Sequence, residues 1–173
     1  MKKAIDTIAD ASDAATRVAV ILLLAAMVVI ISLEVIFRYV LKLPLVWSEQ
    51  LASYTMIWLA FLSAAIALRE HAHIGMTLLV NRLPDKGKKA VEIVSHLLIL
   101  IFLAFLIWWG IKHALDVRNQ RSPVVFNISM FWPYLALPVG AILMVIQEVK
   151  IIVSGPWSTD AVSTLTDNGI VQP

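Results

Sequence analysis

Few side chains in this sequence are equipped for chemistry, and those few lie beside or inside long apolar runs. Glu34 and Arg38 stand four apart, the spacing that brings two side chains onto one helix face. An acid at mid-bilayer is a proton or cation site, whereas one near a boundary is an ion pair that orients its helix or meets a partner. Counted from Arg17 at about 1.5 Å per residue, Glu34 lies about 25 Å along and Arg38 about 31 Å, which favours the boundary. His96 is the histidine well inside a run. It is open to three roles: proton relay, haem ligand, or hydrogen-bonded glue between helices. A haem calls for a second axial ligand such as another His or a Met, so glue is preferred. Ser63 and Gln147 fall at a similar depth, and the three are expected to share one polar layer. His71 and His73, two apart, face different sides of a helix, whereas helical metal pairs use i, i+4.

The sequence shows no nucleophile–base–acid set, no phosphate-binding Gly loop and no cluster of metal ligands. Cysteine is absent, which removes disulfides, thiolate metal sites and thiol nucleophiles. The predicted class is therefore not an enzyme, and no cofactor is expected. The net charge of +2 gives no support for nucleic-acid binding.

The elements that position these residues follow from composition. Of 173 residues, 60% are hydrophobic and 15% charged. Soluble domains average about 45–50% and about 25%. With a mean hydropathy of +0.85, too little polar surface remains to coat a soluble particle. Acidic and basic residues are absent from 18–33, 50–68, 93–111 and 122–147. A hydrocarbon core of about 30 Å takes roughly 20 helical residues. The second and third runs span as they stand. The first must continue to about Leu41, and the fourth opens with a polar loop, so its helix begins near Met130. The predicted fold is all-α, a polytopic membrane protein with four transmembrane helices over about 17–41, 49–68, 90–112 and 130–150. Residues 1–16 form an N-terminal segment, cytoplasmic or interfacial, in which Ile5, Ile8, Ala9 and Ala15 mark a short separate helix. No small-x-small cleavage site follows the first run, which reads as a retained anchor. Residues 154–173, rich in Ser, Thr, Asp, Gly and Pro, read as a disordered cytoplasmic tail.

Four spans put both termini on one side. Nine basic residues lie there (Lys2, Lys3, Arg17, Arg69, Arg82, Lys86, Lys88, Lys89 and Lys150) against five on the other (Arg38, Lys42, Lys112, Arg118 and Arg121). The positive-inside rule makes the termini cytoplasmic. Trp47, Trp108, Trp109, Phe131, Trp132 and Tyr134 then form an aromatic belt at the outer interface. Pro44 is expected to stop the first helix, with Ser48 as N-cap and Glu49 in the first turn of the second. Leu83-Pro84-Asp85-Lys86-Gly87 reads as a turn. Ala60, Ser63, Ala64 and Ala67 offer small-x-x-x-small pairs for close helix approach. Pro138 deprives the Tyr134 carbonyl of its donor and, with Gly140, marks a kink.

Two stretches carry a family resemblance. The first is L-E-V-I-F-R-Y-V-L from Leu33, running through W-S-E-Q-L to W-L-A-F-L-S-A-A-I-A-L-R and H-A-H-I. The second is R-S-P-V-V-F-N-I-S from Arg121, followed by W-P-Y-L-A-L-P-V-G-A-I-L-M from Trp132. In this order they resemble the small membrane subunit (DctQ-like) of tripartite ATP-independent periplasmic (TRAP) transporters, over roughly Asp10 to Val153. The resemblance implies a scaffold in the bacterial inner membrane, surrounded by lipid. Its partner is a large TRAP membrane subunit holding the substrate and sodium sites. A periplasmic substrate-binding protein delivers a C4-dicarboxylate, sialic acid or similar carboxylate. On family motif positions fall Glu34, Arg38, Trp47, Glu49, Arg69, His73, Arg121, Ser122, Pro138 and Gly140. The sequence departs from the pattern at Gln50, where an acid often follows Glu49, and at Gly75-Met76-Thr77, which replaces a basic–aliphatic–acidic stretch. The segment around Arg118, Arg121 and Ser122 is the candidate dock for the binding protein. Two other readings remain open from the residues: a stand-alone proton-coupled exporter using Glu34, and a haem-bearing redox anchor using His96.

Overall fold

In hydrocarbon a chain must satisfy its own backbone, so long apolar runs cross as helices. The computed structural model describes the backbone of residues 2–71 and 85–154 and the side chains of 5–70, 91 and 93–153. Within them are α1 (Lys2–Tyr39), α2 (Val46–His71), α3 (Asp85–Asp116), the short α4 (Phe131–Tyr134) and α5 (Ala136–Ser154). Four stretches are long and apolar enough to cross a membrane: Ile5–Tyr39, Val46–Glu70, Ile93–Asp116 and Phe131–Val153, the last formed by α4 and α5 together. His73, the Arg82 region and the tail from 155 onward lie outside the described residues.

Three boundaries differ from the sequence reading. The separate N-terminal helix is absent, and α1 is one unbroken helix of 38 residues. No Gly or Pro interrupts it. It is about 57 Å long, well beyond a hydrocarbon core of about 30 Å. Second, Ser48 is not an N-cap, because α2 has already begun at Val46. Its hydroxyl donates back to the Leu45 carbonyl at 2.6 Å instead of accepting from a helix N–H. Third, the proposed turn over 83–87 is helical from Asp85 onward. The end of α1 has a clear cause. Lys42 takes a left-handed conformation (φ 54°), and the Leu43 N–H returns to the Phe37 carbonyl at 3.0 Å. That return reaches six residues back, one further than a Schellman closure, and satisfies one of the last carbonyls of the helix, with lysine in the left-handed position where glycine is usual.

α5 is the hub, packed against α2, α3 and α1, while α1 leans chiefly on α2. No residue in the most apolar window of the first span is buried, against 39% of that in the last. Below its exposed faces, α1 touches the bundle along Ala9, Asp13, Thr16, Val20, Leu23, Met27, Ile30, Glu34 and Phe37. Those alternating steps of four and three are a heptad seam, the geometry of a shallow left-handed crossing. On α3 the inward face carries His96, Leu103, Gly110 and Ala114.

Pro138 acts four residues before itself. The helix breaks at Leu135, whose N–H reaches the Phe131 carbonyl at 3.0 Å, and resumes with Val139 N–H on Leu135 O at 3.2 Å. Just past this break α5 comes closest to its neighbours. A Cβ on Gly140 would stand 2.6 Å from Phe61 Cβ and 3.2 Å from Phe61 backbone atoms. One on Gly110 would stand 2.2 Å from Leu137 Cδ2, the end of a flexible side chain. Gly140→Ala is therefore expected to destabilise the bundle by about 1–3 kcal/mol, since the clash is with atoms that move only with the helix. Gly110→Ala should cost less, because the leucine can rotate, although Pro138 Cδ at 3.1 Å leaves little slack. Thermal unfolding of both variants in the same detergent checks the order, and equal loss would contradict it.

Candidate functional site

The functional residues collect in layers at the two ends of the bundle, with apolar helix between them. At the end shared by the start of α1 and the finish of α5, hereafter the near end, charges from three helices interlock. Asp10 accepts from Arg69 Nη2 at 2.5 Å and also from Lys150 Nζ. Asp13, four residues before Arg17 and one turn from Asp10, accepts from Arg17 Nε at 2.9 Å and pairs with Arg69 Nη1 at 3.3 Å. Arg17 Nη2 continues to Glu70 Oε1 at 2.6 Å. One aspartate thus joins α1 to both α2 and α5. Most of these groups are at least partly exposed, so each pair alone contributes little, and the worth lies in the network.

Deeper in this layer sits a fully buried acid. Glu148 has no exposed surface, and its Oε1 meets Nδ1 of His96, a ring only 9% exposed. The natural polarity has the ring N–H donating to the carboxylate oxygen. Glu148 Oε2 is buried and has no hydrogen-bond partner among the described residues, which leaves His96 as the group that compensates this carboxyl. Alongside, Gln147 Nε2 donates to the Ala9 carbonyl at 3.2 Å and to Ser12 Oγ at 3.3 Å. The expected layer of Ser63, His96 and Gln147 is thus replaced. His96 is bonded to Glu148, Gln147 is bonded to α1, and Ser63 is half-buried and takes part in neither bond. Depth along a helix had placed the three together, but depth says nothing of azimuth.

At the far end Glu34, on the α1 seam, accepts from Arg38 Nη2 at 2.5 Å. The carboxyl is shielded (15% exposed) and the guanidinium open (51%). Trp47 lies 5.7 Å from Phe126, ring to ring, and Glu49 is exposed. Beyond α3 the chain folds into a small hairpin. Arg121 bridges Ser129, Ser122 N–H reaches Ile128 O at 2.9 Å, and Ile128 N–H reaches Val125 O at 2.9 Å. Phe126 and Asn127 both have positive φ (43° and 58°), the pattern of a type I′ turn. Ser122 is fully buried, and its hydroxyl accepts from Val125 N–H at 3.3 Å, so it is a folding residue of the hairpin. The side chains of Arg118 and Arg121 are exposed and form no ion pair among the described residues. Ala60 and Ala64 are exposed, Ala67 is half-buried, and the close approach to α5 is made by neighbouring Phe61. Asp10, Asp13, Glu70, Glu148, Lys150 and Gly110 went unremarked as site residues in the sequence. The Asp13–Arg17 spacing was a usable signal. So was Glu148, because Ile151-Ile152-Val153 follow it and place it inside the apolar run instead of at its end.

Residues 27–155 match the family described as tripartite ATP-independent periplasmic transporters, DctQ component. The chain belongs to the DctQ family. It is 27% identical over 129 residues to the sialic acid TRAP transporter small permease protein SiaQ of Vibrio cholerae, covering 74% of this chain and 73% of that one. It is 29% identical over 151 residues to a putative TRAP transporter small permease protein of Haemophilus influenzae, covering 87% and 88%. It is also 30% identical over 119 residues to the sialic acid TRAP transporter permease protein SiaT of Haemophilus influenzae, covering 68% of this chain but 19% of that much longer one. This DctQ-family chain is thus a multi-pass TRAP small permease subunit. Its matched region holds Glu34, Arg38, Arg69, His96, Gln147, Glu148 and Lys150, while Asp10, Asp13 and Arg17 precede it.

The buried pair has a measurable consequence. In a double-mutant cycle on unfolding, His96→Ala and Glu148→Gln are expected to show a coupling of about 1–3 kcal/mol. An ordinary interhelical hydrogen bond in a membrane protein averages about 0.6 kcal/mol. Additive losses would mean that the two side chains do not act as a pair.

Proposed function

We propose that this chain is the scaffold subunit of a sodium-coupled, binding-protein-dependent importer of carboxylates in the bacterial inner membrane. The substrate and sodium sites then belong to the large TRAP subunit, against which this bundle packs. The observation that carries the reading is the mid-span. Between the near-end network and the Glu34–Arg38 pair, α1 carries no charge from Val18 to Leu33. The other helices likewise have no acidic or basic residue over 50–68, 97–111 and 131–147. A coupling ion needs a polar group near the midplane or a pair of broken helices that face one another. The one break inside a span among the described residues, at Leu135, is bridged by backbone bonds on either side. The glycine contacts and the end-layer ion pairs make a body suited to bracing another chain. The name of the Vibrio cholerae relative supports a carboxylate such as sialic acid. Exposed Ala60 and Ala64 supply a narrow face on which a second protein's helix can approach closely.

Proteoliposomes holding this polypeptide alone are expected to show no sodium-driven uptake of sialic acid or C4-dicarboxylates, and those that also contain the large subunit should show it once binding protein is added. Uptake by the single chain would overturn the scaffold reading.

The same reading puts the near end in the cytoplasm and the hairpin in the periplasm, where Arg118 and Arg121 face an arriving binding protein. Arg121 is held in the bridge to Ser129, and Arg118 contributes only its carbonyl, which accepts from Ser129 Oγ at 2.6 Å. The Arg118 side chain is therefore the freer probe. Rim charges act mainly on encounter rate, screened over about 8–10 Å in physiological salt. Arg118→Glu should slow association of the binding protein with the assembled membrane complex at low ionic strength, with the difference closing as salt rises. An unchanged on-rate at low salt removes Arg118 from docking.

A further inference from the structure

Every non-glycine residue with positive φ among the described residues lies in the two far-end connections: Lys42 between α1 and α2, and Phe126 and Asn127 in the hairpin. Asparagine tolerates that region, but an aromatic residue there is an outlier, and the first central position of a type I′ turn is ordinarily Asn, Asp or Gly. Phe126 is 74% exposed, so burial does not repay the strain. What the conformation achieves is placement: the ring stands at the hairpin tip, against Trp47, the residue that follows the first connection. That connection and the first residue of α2 read Val40-Leu41-Lys42-Leu43-Pro44-Leu45-Val46, with one polar side chain in seven residues. Val40, Leu43 and Val46 are largely exposed. Turns that face water are built from Gly, Asn, Asp and Ser, and this one contains none of them.

We propose that these two connections form one wedge seated in the lipid interface, with Leu43, Val46 and Phe126 in the upper acyl region and Lys42 at a lipid phosphate. Three features favour lipid over water or a protein partner. The backbone is partly closed on itself: Val40 N–H bonds Ile36 O at 2.9 Å, Leu43 N–H bonds Phe37 O at 3.0 Å, Ser48 N–H bonds Leu45 O at 3.3 Å, and Pro44 has no N–H, while the N–H groups of Leu41, Lys42 and Leu45 make no backbone bond among the described residues. The open donors suit the headgroup level, which offers water and lipid oxygens that the hydrocarbon core does not. The surface is also continuous with exposed Val35 and Ile36 on α1, a helix that spans the membrane, so the next layer outward is headgroup. Finally, Lys42 is a solitary cation on a long apolar stem within an apolar loop, and it forms no ion pair among the described residues. A phosphodiester is its complement, and the stem can snorkel to reach it. An apolar protein surface would leave the ammonium buried unless it brought an acid. The wedge does not depend on which end faces the cytoplasm.

The absence of native cysteine makes a direct test possible. Leu43→Cys, Phe126→Cys and, as a water-facing reference, Arg118→Cys each receive one nitroxide. The full chain is then reconstituted together with its large subunit in phosphatidylcholine–phosphatidylglycerol vesicles. Power saturation compares collision with oxygen, which partitions into the bilayer, and with a nickel chelate, which stays in water. The oxygen-to-nickel ratio at 43 and at 126 is expected to exceed that at 118 several-fold, and adding Lys42→Glu should lower the ratio at 43. Asn127→Cys serves for the hairpin tip if Phe126→Cys does not fold. A ratio at either site equal to that at 118 overturns the wedge by showing water. Exclusion of both relaxants at both sites overturns it by showing a protein partner.

Discussion

Between helices already dissolved in hydrocarbon, apolar burial gives little net attraction, and this bundle depends on α5 seating closely against α2. The Gly140–Phe61 approach is the point where that happens, because it lets two backbones come within side-chain distance and multiplies short-range dispersion contacts. Gly110 does the same for α3 against the Leu137–Pro138 turn. Pro138 gives the fourth span its break at Leu135, and the resumed helix presents Gly140 about one and a half turns later. Once α5 is placed, α2 and α3 take their positions on either side of it, and α1 is added along a single seam on α2.

The end layers supply what packing alone lacks, which is register. A heptad seam of aliphatic residues can slide by a turn with modest loss, but charges that must meet partners cannot. Asp10 and Asp13 with Arg69 and Lys150, and Arg17 with Glu70, hold α1 at one height relative to α2 and α5. The buried His96–Glu148 pair does the same between α3 and α5, helices that otherwise meet through apolar residues and glycine. Buried polar pairs are often poor sources of stability and better sources of a unique arrangement. With charged groups confined to its ends, the body of the bundle is left as a stiff, mostly apolar block.

Much of this was legible in the chain. Uncharged runs of near-membrane length specified helices because an unpaired backbone cannot remain in hydrocarbon, and the order of motifs indicated the DctQ family. Pro138 announced its break because a missing N–H acts locally. The Asp13–Arg17 pair and the interior position of Glu148 were readable too, through spacing and through the apolar residues that follow.

What the sequence could not decide was azimuth and partnership. On α1 nearly every residue from Val18 to Ile31 is apolar, so no periodicity marked Val20, Leu23, Met27 and Ile30 as the seam. In water the polar face of a helix reveals its buried face, but in lipid both faces are greasy and the code is erased. His96, Ser63 and Gln147 shared a depth by counting, yet His96 met Glu148 and Gln147 met α1, because rotation about each helix axis is set by contacts with other helices. Length, composition and local backbone chemistry determined that there are helices and about where they stop. Only the tertiary structure decided which side of each helix faces which neighbour, since close approach at two glycines and pairing among charges far apart in the chain cannot be evaluated one helix at a time.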